Sequence, residues 1–285
     1  MATAPSTVAG NTDMIGIPSA KFFSSLAATY AKQTGNSTRD IFVSSLDAIT
    51  SLHPITPSSR IHDNAAGPGT AASVLASTFP AASLPEIVIT DSVPAMVSAA
   101  RDAFASLSPA VTAQEMDSHA LAFPDAHFTH SLLNFSVFAM ADPPRCLREM
   151  HRTLRPGGVA AVLTWRRFAA GALVRAAQAM VRPDLPPMHI PHEEMMAEGV
   201  LSKLVVEAGF AEEGVQVLEK RVVVKGEDLE GLRGFLVGEN MLLARKGWTE
   251  EEERRWPEVV EKVVRDEVEA EGGVLFEAWV VLARK

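Results

Sequence analysis

Apolar positions near the start of the chain recur every three to four places: Phe22, Leu26 and Tyr30, then Ile41, Phe42, Leu46 and Ile49 after a Gly-Asn-Ser-Thr break. That spacing puts each set on one helix face, so two helices are expected to open the fold. From about Ile61 the pattern changes. Short apolar runs at Glu86–Thr90, Val111–Gln114, Phe128–Phe135 and Val159–Trp165 alternate with helical stretches at 70–78, 94–107 and 143–154. Such alternation predicts βαβ units and a parallel sheet. Asp142 as N-cap, Pro143 in the first turn and Pro156-Gly157-Gly158 beyond the end bound the last of these helices.

After Trp165 the pattern loosens. Residues 182–191 carry four prolines and read as a linker, followed by a helix at 193–208 that Gly209 stops. A strand at Val215–Val224, two further helical stretches and a closing strand FEAWVVLAR follow, an order compatible with an antiparallel edge on an otherwise parallel sheet. The expected fold class is α/β: a doubly wound, mostly parallel Rossmann-like sheet with a helical lid. Residues 1–58 would form an N-terminal helical lid segment, 59–166 the cofactor-binding core, and 167–285 cap helices and closing strands of the same domain.

Composition narrows the partners. With 285 residues, 47% of them hydrophobic, the chain can bury the core of one large α/β domain. Its formal net charge of −9 and the lack of a dense Lys/Arg run argue against nucleic acid. The run Glu250–Arg255 reads as a solvated helix face. A single cysteine, Cys146, allows no intramolecular disulfide and suits a reducing compartment. The first fourteen residues lack the basic and apolar parts of a signal peptide, and no later run is long enough to span a bilayer; a cytoplasmic protein with no membrane partner is expected. No H-E-x-x-H or similar spacing calls for a metal.

The chemistry begins where strand-like Arg60-Ile61-His62 leads into Asp63-Asn64-Ala65-Ala66-Gly67-Pro68-Gly69-Thr70 and an Ala-rich helix. Glycines let a ligand approach this backbone, and the free amides of a helix N-terminus face it. Gly67-Pro68-Gly69-Thr70-Ala71-Ala72 also satisfies the looser dinucleotide fingerprint, and Asp91 lies where a ribose-binding acid is expected, at the end of the second strand of the predicted sheet. Both nicotinamide dinucleotides and S-adenosylmethionine carry a ribose diol. Alternatively, Asp91 merely caps the helix begun by Pro94, a task Ser92 could also perform.

The order of later motifs discriminates. Asp117-Ser118 follows the third strand, then come Leu121-Ala122-Phe123-Pro124-Asp125-Ala126-His127-Phe128 and, before the fifth strand, Arg148-Glu149-Met150-His151-Arg152-Thr153-Leu154-Arg155-Pro156-Gly157-Gly158. Over residues 60–165 the chain resembles the class I S-adenosylmethionine-dependent methyltransferases of the ubiquinone/menaquinone-biosynthesis type. Tyr30-Ala31-Lys32-Gln33-Thr34-Gly35, Arg39 and Asp63-Asn64-Ala65 are similar to fungal small-molecule methyltransferases, including the gliotoxin-type thiol S-methyltransferases. Ala65 stands where the family usually has the first glycine of its loop.

The resemblance implies that Gly67 and Gly69 flank the methionine part of S-adenosylmethionine while Asp63 helps hold its ammonium, with Asn64, Ala65 and Ser92 belonging to the same set. It further implies Asp91 on the ribose, Met96 against the adenine, and Asp117 with the Ser118 backbone on the adenine edge. Asn134 and Phe135 would stand at the reactive end, and Tyr30 would close over it; the other reading of Tyr30 is a core aromatic. The implied activity is methyl transfer to a small molecule, an oxygen, sulfur or nitrogen nucleophile of secondary metabolism. Trp165 and Met188 are the acceptor-site candidates; Met180, Met195 and Met196 could line the same pocket or simply fill core gaps. His189 and His192 are the candidate bases, each equally readable as a packing or surface histidine. Two alternatives stay open: an NAD(P)-dependent oxidoreductase and a protein that binds S-adenosylmethionine without methylating.

Overall fold

The computed structural model describes residues 13–14 and 17–285; the expectation about a signal peptide falls largely on residues outside these. A short hairpin of β1 (Asp13–Met14) and β2 (Ile17–Pro18) precedes α1 (Ser19–Leu26) and α2 (Tyr30–Gln33). The expected first helix is thus two pieces, broken by a turn at 27–29. Asn36, in the left-handed region at φ 54°, restarts the chain as α3 (Ser37–Leu52), which buries Ile41, Phe42, Leu46 and Ile49 along one face.

The alternating region follows as β3 (Arg60–Asn64), α4 (Thr70–Thr78), β4 (Glu86–Asp91), α5 (Pro94–Phe104), β5 (Val111–Glu115), β6 (Phe128–Asn134), α6 (Pro143–Thr153) and β7 (Leu154–Arg167). Asp142 caps α6 by accepting the Arg145 amide at 3.0 Å. The Pro-Gly-Gly segment, expected to end this helix, instead lies inside β7. Gly157, at φ 77°, donates its amide to the Lys285 carbonyl at 2.6 Å, and a Cβ on Gly158 would lie 2.9 Å from the carbonyls of Arg155 and Thr129.

Beyond β7 come α7 (Ala169–Val181), α8 (Val200–Glu207), β8 (Val215–Val224), α9 (Gly226–Val237), α10 (Glu250–Glu271) and β9 (Val274–Arg284). The helix expected at 193–208 is divided into a 3-10 turn at Glu193–Met196 and α8, because Gly199 takes a left-handed φ of 80° at the α8 N-cap. Thr249 opens α10 with a capping box to Glu252.

Seven strands form one sheet in the order β5-β4-β3-β6-β7-β9-β8. β3 to β7 are parallel and β9 runs against both its neighbours. The antiparallel strand is therefore not the edge, as the element order had led us to expect. It is inserted between β7 and β8, and β8 is the edge. The chain builds outward from β3 through β4 to β5, then resumes on the other side of β3 with β6. This reversal opens a crevice at the strand ends between β3 and β6, where open α/β sheets hold their ligands. Central parallel strands are normally almost wholly apolar, yet β3 buries His62, Asp63 and Asn64 completely.

Candidate active site

Three residues of the β3–α4 loop sit in the left-handed region: Ala65 at φ 46°, Gly67 at 58° and Gly69 at 88°. For Ala65 that conformation costs about 1 kcal/mol, a strain that glycine in the family's usual position would lack. The loop is held by Asp91, whose Oδ2 accepts the Gly67 amide and whose Oδ1 accepts the Val93 amide, both at 2.8 Å. Burial raises the Asp91 pKa against the pull of these amides. The Ser92 amide also bonds this carboxylate; with about four lone-pair sites on its two oxygens, it keeps acceptor capacity for a ligand hydroxyl.

Above this loop lies a cavity of about 860 Å³, within the usual range for small-molecule sites. Tyr30, Ala65, Gly67, Asp91, Ser92 and Met96 line it, and Asp117, Ser118, Asn134 and Phe135 complete its far side. Burial works against the charge of Asp117, but the backbone amide and ring of His119, at 2.9 and 2.6 Å, together with Arg145, hold its pKa below the usual carboxylate value. His119 also accepts the Asp142 amide through Nε2 at 3.0 Å, tying the loop after β5 to the cap of α6. Sequence reasoning missed His119 and Arg145; the Asp-x-His spacing was a legible signal for the first.

Three expected cofactor residues do not line the cavity. Asp63 is fully buried beneath it, with Oδ2 accepting the Ala72 amide at 2.9 Å and Oδ1 without a partner. Burial raises its pKa to about 7, opposed by the Ala72 bond and aided by Asp91. Asn64 turns its Oδ1 toward the hydroxyls of Ser118 at 2.8 Å and Thr90 at 3.4 Å, and Thr90 shares a further hydrogen bond with His62 at 2.8 Å. Gly69 is a packing glycine: a Cβ there would come within 2.6 Å of the Phe104 ring.

A second, aromatic chamber adjoins the first, and Phe23, Tyr30 and Phe135 line both. Phe135, buried just past β6, holds a φ of 57°, an outlier for a bulky residue and of the kind that clusters at functional sites. Its ring centroid is 4.0 Å from that of Trp165, which stacks in turn on Phe168 at 5.6 Å. Met188 is buried in the chamber wall, and His189 lines the chamber while remaining exposed. His192 is elsewhere, fixed by hydrogen bonds to the Met140 carbonyl and Glu194, each at 3.0 Å. Met195 and Met196 pack against the core and Met180 is exposed. Phe22, Phe235 and Phe276 also line the chamber; nothing in their spacing predicted it. Among the described residues no group of His, Cys, Asp and Glu could hold a metal ion, and no helix is long and apolar enough to cross a membrane.

A family model described as "Methyltransferase domain" matches residues 62–162, from the middle of β3 to the middle of β7. The core thus has the sequence pattern and the fold of a methyltransferase domain. Over 113 residues it is 33% identical to a 2-phytyl-1,4-naphtoquinone methyltransferase of Synechococcus elongatus, a match covering 39% of this chain and 48% of that one. It is 36% identical, also over 113 residues, to a demethylmenaquinone methyltransferase of Thermus thermophilus, covering 40% and 50%. The chain thus spans about half the length of the curated relatives it matches. Its fold resembles that of the YcgJ protein from Bacillus subtilis, at a TM-score of 0.51 and 14% identity over 85% of this chain and 97% of that one. It also resembles a Haemonchus contortus phosphoethanolamine N-methyltransferase solved with S-adenosylhomocysteine, at 0.51 and 15%, over 85% and 52%. The match from β3 to β7 favours S-adenosylmethionine over a nicotinamide dinucleotide as the cofactor.

Proposed function

We propose that the protein transfers a methyl group from S-adenosylmethionine to a small-molecule acceptor of secondary metabolism, an oxygen, sulfur or nitrogen nucleophile, in the cytoplasm. The observation that carries this reading is the common wall: a polar cavity and an aromatic chamber meet at Phe23, Tyr30 and Phe135, so a group lodged at the inner end of one faces the other. The polar cavity suits the cofactor. Gly67 permits close backbone approach, Asp91 has lone pairs left for a ribose diol, and Asp117 can accept from an adenine amino group. Asn134 Oδ1 and Ser136 Oγ line the cavity and are buried without partners among the described residues, as groups that await a ligand are.

When bound, the cofactor supplies a methyl carbon on a positively charged sulfur. The acceptor's lone pair would take that methyl carbon with the sulfur leaving as the neutral thioether, and water or His189, which lines the chamber, would take the acceptor's proton. Because the leaving group already carries the charge, positioning and exclusion of water can supply much of the acceleration. Phe135 and Tyr30 would frame the approach, while Phe23 shields it. The chamber encloses only about 80 Å³ as it stands, so an acceptor must displace part of its wall to enter.

Isothermal titration with S-adenosylmethionine, S-adenosylhomocysteine and NAD, followed by an assay for S-adenosylhomocysteine release with small thiols and phenols, tests the proposal. Binding of the first two ligands and turnover with an acceptor are expected. Binding without turnover across a broad acceptor panel would leave a non-methylating binder, and NAD binding alone would overturn the assignment.

A further inference from the structure

The two cavities differ sharply in charge. The cofactor cavity is lined by Asp91, Glu115, Asp117, Asp142 and Arg145, whereas no Asp, Glu, Lys or Arg lines the chamber. Nine of the chain's eighteen aromatic residues line the chamber instead. A formal charge placed there would lose its hydration and find no fixed counter-ion beyond the exposed His189 ring, at a cost of several kcal/mol for a cation.

The hydroxyl groups of the chamber are already engaged. Thr34 Oγ1 donates to the Tyr30 carbonyl at 3.0 Å and Ser37 Oγ to the Thr34 carbonyl at 2.7 Å, while the Tyr30 hydroxyl is hydrogen-bonded to the Thr38 side chain. Gln33 Oε1, by contrast, is buried and has no hydrogen-bond partner among the described residues. An unpaired buried acceptor costs about 1–3 kcal/mol, which a donor on a bound molecule would recover.

From these observations, and resting on the methyl-transfer reading above, we infer that the acceptor is an uncharged, ring-bearing molecule with a neutral hydrogen-bond donor, held among the chamber aromatics with its donor on Gln33. Trp165 stacks on Phe168 and meets the tilted ring of Phe135, and the three would offer the acceptor ring a rigid apolar surface. Gln33 would set its orientation. An ammonium of the same shape would find no counter-charge and an acid only the exposed His189 ring, so both would bind more weakly.

The test uses the unmodified protein saturated with S-adenosylhomocysteine and titrated with four probes of one shape: 4-methylphenol, 4-methylanisole, 4-methylbenzoate and 4-methylbenzylammonium. The phenol should bind at least about tenfold more tightly than either ion and about three- to tenfold more tightly than the anisole, which has no donor. Gln33→Leu should abolish the difference between phenol and anisole while leaving affinity for S-adenosylhomocysteine within about twofold. A structural role alone would not move that ratio. Equal or tighter binding of either ion, no binding of any probe, or a phenol preference that survives in Gln33→Leu overturns the inference. Failure of S-adenosylhomocysteine itself to bind overturns the methyl-transfer reading, and this inference with it; its binding without the expected ranking overturns this inference alone.

Discussion

Asp91 Oδ2 accepts the amide of Gly67 at 2.8 Å, so the acid at the end of β4 fixes the loop that leaves β3. One carboxylate thus shapes the cavity and, in our reading, binds the ribose within it. Asp91→Ala should lower affinity for S-adenosylhomocysteine by about 100-fold or more, the expected loss of two hydrogen bonds to a charged group. It should also lower stability by about 1–3 kcal/mol, because the amides of Gly67 and Val93 lose their acceptor. Titration calorimetry and urea unfolding measure the two effects; unchanged affinity in a folded variant would remove Asp91 from the ribose.

The two loop glycines should fail differently when given a methyl group. Gly69→Ala would set a Cβ 2.6 Å from the Phe104 ring at a φ of 88° and should cost roughly 2–3 kcal/mol of stability. Gly67 lines the cavity, and its Cβ would meet only the Met96 sulfur at 3.6 Å. Gly67→Ala should therefore lose less stability, about 1 kcal/mol, and more cofactor affinity. Parallel melts and titrations of the two variants would show the opposite order if the assignment were reversed.

Asp63 should impose a pH dependence of definite sign. Burial raises its pKa from 3.8 to about 7 in the folded protein, so between these values the folded state binds the extra proton and the unfolded state does not. The contribution is fully present below about pH 4 and is lost as pH rises through about 7. Relative to Asp63→Asn, the unmodified protein should lose stability over that window, on the order of a few kcal/mol. His62 and His130, whose pKa values burial lowers to about 3 and about 4, act with the opposite sign. The difference between the two proteins, measured by urea unfolding at acidic and mildly alkaline pH, is therefore the readout; a constant difference would contradict it.

Tyr30 is the only tyrosine in the chain, so tyrosinate absorbance reports a single residue. Burial pushes its pKa up to about 12, helped by Asp91 and opposed by the hydrogen bond with Thr38. The folded protein should show no tyrosinate through pH 10, whereas the same chain in denaturant should titrate near the ordinary value. Titration of the folded protein near pH 10 would place the hydroxyl in water and remove it from the wall between the cavities.

The alternating region was legible because each run between Glu86 and Trp165 has a single element compatible with its length and spacing, and a strand's end fixes which residue projects over the crevice. Asp91, Asp117 and Asn134, placed in this way, line the cavity. Asp63, Asn64 and Gly69 were not separable from their neighbours: one register step decides whether a side chain meets the ligand or the helix behind it, and Gly67 and Gly69 look alike until Phe104 is placed. The aromatic chamber was hidden for a different reason. Phe22, Phe168, Phe235 and Phe276 come from elements far apart in the chain, and each alone reads as an ordinary core residue. The position of β9 was likewise set by pairing with β7 and β8 rather than by its own pattern.

That position has a consequence for assembly. Because β9 fills the gap between β7 and β8, the edge strand β8 has no partner in the sheet until Val274–Arg284 has been synthesised and inserted. A nascent chain halted before Val274 would carry β7 as an unpaired edge and β8 as a loose strand, both templates for adhesion between chains. Completion of this sheet therefore waits for β9, and a chain ending before Val274 should aggregate rather than fold.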